Sequence, residues 1–173
     1  MMLFQRHAAN MRRCVLLIFV LLCASCGYHL RGAIELPEEM KNIYVQNASP
    51  QLMTGFQQVL QYGSGRLANS HAEAGIIVNV LDEEMRRNTL TLSAIGKSTE
   101  YELNYYLDVE LLDADGNVIM PKQSIQLRRD YFDTQINVIG KANEQTLITQ
   151  EMYRQAVQSI IARARVALQA YGK

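Results

Sequence analysis

The chain predicts an α+β fold, a four-stranded and mainly antiparallel sheet packed against two helices in the order β-α-β-β-β-α. Three observations lead there. A helix-start signal stands at residues 49–50, strict polar–apolar alternation runs through residues 100–111, and an apolar stripe at helical spacing closes the sequence. Alternation of that length marks a half-buried antiparallel strand, and a stripe of period 3.6 marks a helix lying on a core.

Tyr28 to Met40 reads as an extended leader ending in the turn-prone Leu36-Pro37-Glu38-Glu39. Lys41 to Gln46 is a short strand with Ile43 and Val45 on one face. Ser49 is placed to cap the next helix, and Pro50 sits at its first position, where a missing N–H costs nothing. Leu52, Phe56, Val59 and Leu60 follow at helical spacing, and Gly63-Ser-Gly65 ends the helix. Ala74, Ile76, Val78 and Val80 alternate, and a polar stretch from Asp82 to Asn88 runs on to Leu92. In the next strand Tyr101, Leu103, Tyr105, Leu107, Val109 and Leu111 face one way. Glu100, Glu102, Asn104, Asp108 and Glu110 face the other, which is wet or partner-facing. Asp113-Ala-Asp-Gly-Asn117 is a hairpin turn. The return strand runs from Val118 to Phe132, and Pro121 near its start suits a sheet edge. Thr134 to Lys141 is expected as a loop. Asn143-Glu144 is expected to start a helix reaching about Gln169. Its stripe is Ile148, Met152, Ala156, Ile160 and Ala164.

The N-terminus sets the compartment. Residues 1–25 hold Arg6, Arg12 and Arg13, no acidic residue, and an apolar run from Cys14 to Cys23. That is the anatomy of a signal peptide, and the run falls short of the roughly 20 apolar residues a bilayer span requires. Met11 is a second candidate start. Ala24-Ser25-Cys26 resembles the end of a bacterial lipobox, with small residues giving the peptidase access and a thiol to carry lipid; Cys23 stands where Leu is usual. Cys26 is then the only cysteine of the mature chain, so no intramolecular disulfide can form and lipid attachment gives the odd thiol a use. The expected organisation is a removed signal over 1–25 and one domain over 26–173, with residues 26–40 as its leader. Gly27 after the cysteine points to sorting to the outer membrane, on the periplasmic side.

Composition narrows the function. Removing the signal's 3 arginines from the chain's 17 basic residues leaves 14 against 17 acidic, which argues against nucleic acid as a partner. No HExxH, GxSxG or phosphate-binding glycine loop is present. His29 lies beside the anchor and His71 in a polar loop, so neither is placed for catalysis. The His and Cys counts fall short of the common zinc sets. Glu83-Glu84 reads as a solvated face. Neither an enzyme nor a cofactor is expected.

Several short motifs nevertheless occur in a telling order. Cys26-Gly-Tyr-His-Leu-Arg31, Gly96-Lys-Ser-Thr-Glu-Tyr101, Lys141-Ala-Asn-Glu-Gln145 and Glu151-Met-Tyr153 together resemble the LptE family of lipopolysaccharide-assembly lipoproteins, from Cys26 to Ala167. The resemblance implies a four-stranded sheet on two helices. It also implies a non-enzymatic protein, lipid-anchored at the outer membrane, that plugs the LptD β-barrel and assists its assembly. Such a protein takes part in lipopolysaccharide transport and insertion into the outer leaflet. Lys141 matches the family's lysine implicated in lipopolysaccharide binding. The family's other implicated basic residue, an arginine, falls on Ala94; Lys97, three positions on, either replaces it or is an ordinary loop charge. Arg86-Arg87 and Arg128-Arg129 are not read as a site, because strand neighbours point to opposite faces. The alternative is an envelope scaffold lipoprotein that activates a cell-wall synthase.

Overall fold

Strand β1 (Asn42–Gln46), helix α1 (Pro50–Gln61) and the two-residue β2 (Arg66–Leu67) form the first half of the fold. Three long strands follow, β3 (Ile76–Leu92), β4 (Ser98–Asp113) and β5 (Val118–Phe132), and then helix α2 (Val138–Tyr171). This computed structural model describes residues 36–92, 98–132 and 138–171, with backbone alone at 92, 98–99 and 138–143. All belong to one compact unit, residues 33–173.

The sheet has five strands in the order β2-β1-β3-β4-β5. β1 runs parallel to both β2 and β3, whereas β3–β4 and β4–β5 are antiparallel. The expected four-stranded, mainly antiparallel sheet is therefore corrected to a five-stranded mixed one. The miss has a physical cause. Two residues, Arg66 and Leu67, carry no readable periodicity, and parallel pairing joins segments whose neighbourhood only the crossover helix creates.

Local signals govern the helices. Ser49 is extended, with φ −63° and ψ 156°, and its Oγ accepts the Leu52 amide at 3.1 Å; Pro50 opens α1 as expected. Leu52, Gly55, Phe56 and Leu60 are the buried residues of α1. On α2 Met152, Tyr153, Ala156, Val157, Ile160, Ile161 and Ala164 are buried. Both stripes join one core with Ile76, Val78 and Val80 of β3 and the odd-numbered residues 103–111 of β4. Burying one such side chain contributes about 1.5–3 kcal/mol. Leu36 and Met40 belong to this core too, so the end of the expected leader is part of the domain.

The start of α2 differs from the expectation. The helix begins at Val138, so Asn143-Glu144 is not its cap, and Lys141 lies within the first turn rather than before it. Val138-Ile139-Gly140 has poor helix propensity. A helix already nucleated nonetheless gains one backbone hydrogen bond per added residue. The hairpin follows the sequence: the Asp113 carboxylate accepts the Asp115 and Asn117 amides at 2.9 and 2.8 Å, and Gly116 takes φ +87°. Strand β5, with Pro121, is an edge strand, opposite β2.

Candidate functional site

The two faces of the long hairpin assign each charged residue its role. A bulge between Val80 and Asp82 offsets the pairing of β3 with β4. Val80 pairs with Val109, and beyond the bulge Glu83 pairs with Leu107, Met85 with Tyr105 and Arg87 with Leu103. Glu83 and Arg87 thus join the helix side, while Glu84 and Arg86 turn to the open side opposite Tyr106 and Asn104. The phase of the alternation changes at Leu81, the exposed bulge residue.

On the helix side, Glu83 is a junction. Its carboxylate accepts the Ser49 amide at 2.9 Å, the Ser49 hydroxyl at 2.6 Å and the Tyr105 hydroxyl at 3.0 Å. One side chain therefore ties the cap of α1 to β3 and β4. Burial, then the Glu83 charge and hydrogen bond, push the Tyr105 hydroxyl well above the usual tyrosine range. The Tyr153 hydroxyl is also raised, by burial first and then by Glu83. Its ring meets Tyr105 edge-on at 4.9 Å. Reading Glu83 as solvated is corrected here, and the signal that would have placed it is the lone Leu81 between two alternating runs.

Further along the same side, an aromatic and amide cluster holds α2 to the end of the sheet. Arg87 lies over Tyr101 at 4.6 Å, and Tyr101 stacks on Tyr131 at 5.3 Å. Gln145 Oε1 accepts the Tyr131 hydroxyl at 3.0 Å and Arg87 Nη1 at 3.4 Å. Arg129 Nη2 donates to Gln155 at 2.6 Å. Both arginine pairs are split between the faces, as the sequence reading held. Arg86 pairs with Glu84 at 2.5 Å and sits over Tyr106, and Arg128 reaches Glu102 at 3.4 Å on the open side. Lys122 adds a pair with Asp108 at 2.6 Å, and Asn104, only 5% exposed amid these charges, donates to Glu102 at 2.7 Å.

The strand ends at Leu92 and Ser98 pair with each other, and Glu100 pairs with Phe132, so three strands finish level. Lys141 belongs to the first turn of the helix that follows β5; its side chain lies outside the described residues, as do Lys97 and Cys26. His71 opens a 3-10 turn and meets Tyr44 edge-on at 6.1 Å. Among the described residues no three His, Cys, Asp or Glu side chains are grouped to hold a metal ion. No described helix is long and apolar enough to cross a membrane.

The family model for LptE, described as Lipopolysaccharide-assembly, matches residues 40–164. The chain belongs to the LptE family. The match takes in the whole sheet and most of α2, including Lys97 and Lys141, and begins after Cys26. Among curated relatives, the LPS-assembly lipoprotein LptE of Pectobacterium atrosepticum is 28% identical over 150 residues, covering 85% of this chain and 80% of the relative. The protein of the same description from Photorhabdus laumondii is 25% identical over 144 residues, covering 82% and 78%. Solved structures share the fold. Lipoprotein B of Nitrosomonas europaea superposes with a TM-score of 0.64 at 24% identity, covering 83% of this chain and 94% of that one. The rare lipoprotein B of Shewanella oneidensis does so at 0.55 and 22%, covering 78% and 98%. The α+β class and the two-helix layer of this LptE-family chain agree with that fold.

Proposed function

We propose that this protein is a non-enzymatic lipoprotein, anchored through Cys26 to the periplasmic side of the outer membrane. It plugs and assists assembly of an LptD-type β-barrel and takes part in moving lipopolysaccharide to the outer leaflet. Membership of the LptE family carries the reading, since relatives matched over most of the chain are named for lipopolysaccharide assembly. The open face of the sheet supports it. Charges there are paired in place, as Arg86–Glu84, Lys122–Asp108 and Arg128–Glu102, so the face stays polar without a surplus of one sign at those pairs. The lumen of a large barrel is polar and accepts such a surface. Lys141 and Lys97 are the candidate contacts to lipopolysaccharide phosphates, which a cation holds by charge-assisted hydrogen bonds.

Copurification from solubilised outer membranes tests the reading. A heat-modifiable integral barrel is the expected partner, and the intact mass of the copurified protein should begin at Cys26 with acyl chains added. A peptidoglycan synthase in its place would favour the scaffold alternative. Lys141→Asp should weaken lipopolysaccharide binding while the barrel still copurifies, and the loss should shrink at high salt as screening sets in. Unchanged binding would remove Lys141 from the site.

A further inference from the structure

The solvent side of α1 is unusual for a surface helix. Residues Pro50–Gln61 contain no charged side chain; the polar positions are glutamines and Thr54. Amphipathic helices ordinarily carry charge opposite their apolar stripe. The facing half-turns of α2 match it, and between the two helices lies a groove of about 290 Å³ in which every lining residue is uncharged. Gln51 and Gln58 stand on one wall and Gln145 and Gln150 on the other, with Thr54 and Thr149 among them. Gly55 and the buried Tyr153 also line the groove, where the helices approach closely: a Cβ at residue 55 would lie 3.4 Å from Tyr153 Cβ.

We propose that this groove is a binding subsite for a neutral saccharide. A glutamine amide carries two donors and an acceptor, and a threonine hydroxyl carries both functions. Gln51, Gln58 and Gln150 present these to the groove, whereas Gln145 Oε1 already accepts from Tyr131 and Arg87. Sugar hydroxyls are likewise donors and acceptors, so a wall of amides and hydroxyls satisfies them in either sense. Thr54 already donates its proton to the Pro50 carbonyl at 2.9 Å, which fixes the hydroxyl with lone pairs left to accept. A phosphate or carboxylate would call for a cation, and a basic peptide for a carboxylate; the lining has neither. The volume is at the small end for ligand pockets, about 300–1,000 Å³, and suits part of a glycan rather than a lipid. That the saccharide is the sugar portion of lipopolysaccharide rests on the function proposed above, whereas the match of groove to sugar does not.

The test uses the full lipidated chain in detergent. The probe is the core oligosaccharide released from lipopolysaccharide by mild acid, then dephosphorylated and with its sugar-acid carboxyl reduced to an alcohol, so that it carries no charge. Side-chain amide signals of Gln51, Gln58 and Gln150 should shift on titration, and calorimetric affinity should be unchanged between low and high salt. Replacing Gln51→Leu and Gln150→Leu together, at exposed positions where leucine favours a helix, should weaken binding tenfold or more. Absence of groove shifts at millimolar oligosaccharide would overturn the proposal, as would affinity unchanged in the double variant or affinity that falls with salt. Should that variant unfold by circular dichroism, the map of shifted amides in the unaltered protein still decides. Barrel copurification is measured alongside. Its failure would sink the proposed function while a measured groove affinity would stand, and the reverse pair of results would sink only the subsite.

Discussion

Glu83 and Glu84 are adjacent carboxylates on one strand, and they live in different worlds. Glu83 faces the helices and accepts three hydrogen bonds from the backbone and side chain of Ser49 and the hydroxyl of Tyr105. Glu84 faces the open side, where Arg86 pairs with it, and that contact holds its carboxyl below the usual glutamate range. The first side chain joins three elements; the second belongs to a set of pairs along one sheet face whose cations lie at the surface. The difference teaches where this fold keeps its specificity. It lies in polar groups beneath the helix layer, whereas a surface pair such as Glu84–Arg86 on the open face carries little of it.

The largest expected effect tests that contrast directly. Glu83→Ala removes the acceptor for the Ser49 amide, the Ser49 hydroxyl and the buried Tyr105 hydroxyl at once. Leaving such donors unsatisfied should lower stability by about 1–3 kcal/mol in urea unfolding. Glu84→Ala should leave the unfolding midpoint where it was, because exposed ion pairs contribute little. Equal losses for the two variants would erase the distinction.

Alkaline titration should give the next largest effect. Tyr105 holds its proton in the folded protein far above the range in which an unfolded tyrosine ionises, near pH 10. Its folded value is raised, so its contribution is complete below about pH 10 and is lost as pH rises beyond. The unfolded chain then releases a proton that the folded one retains. Stability should fall by about 1.4 kcal/mol per pH unit above pH 10 for this residue. Tyr105→Phe should flatten that limb, and an unchanged slope would mean the hydroxyl is not held as described.

The sequence made some of these arrangements legible and hid others, for definite reasons. Ser49-Pro50, the Asp113–Asn117 turn and the β4 alternation are local signals, and each appears where the residues put it. The split of Arg86 from Arg87 and of Arg128 from Arg129 follows from the two-residue period of a strand. Glu83 was hidden because one bulged residue, Leu81, reverses the phase, so alternation counted from Val80 gives the wrong face. β2 was hidden by its length. The early start of α2 was hidden because Val138-Ile139-Gly140 reads as loop by propensity, and hydrogen bonding along a long helix overrides a weak local preference. The helix groove was within reach, since a charge-free run from Pro50 to Gln61 stands out in composition, but only packing shows that α2 answers it with residues of the same kind.

The smallest expected effect concerns the open face in acid. Hydrogen bonds from Lys122 first and then Ser124 hold the Asp108 carboxyl below the usual aspartate range, as Arg86 does for Glu84. Folded values lowered in this way give stability that is present above the ordinary carboxylate range, near pH 4, and lost as pH falls through it. Glu84 and Asp108 are both partly exposed and the Arg86 and Lys122 that pair with them lie further out, so water and salt already screen these pairs. The acid limb of the stability curve should therefore be shallow beside the alkaline one, and shallower still in molar salt. Glu84→Gln combined with Asp108→Asn should flatten it slightly and leave the alkaline limb untouched, because neither residue reaches Tyr105. Unfolding midpoints at pH 7, 4 and 10.5 on the same variant would read both limbs together. If the double variant changed the alkaline limb, the two faces of β3 would be coupled through the sheet, and the separation between Glu83 and Glu84 would not hold.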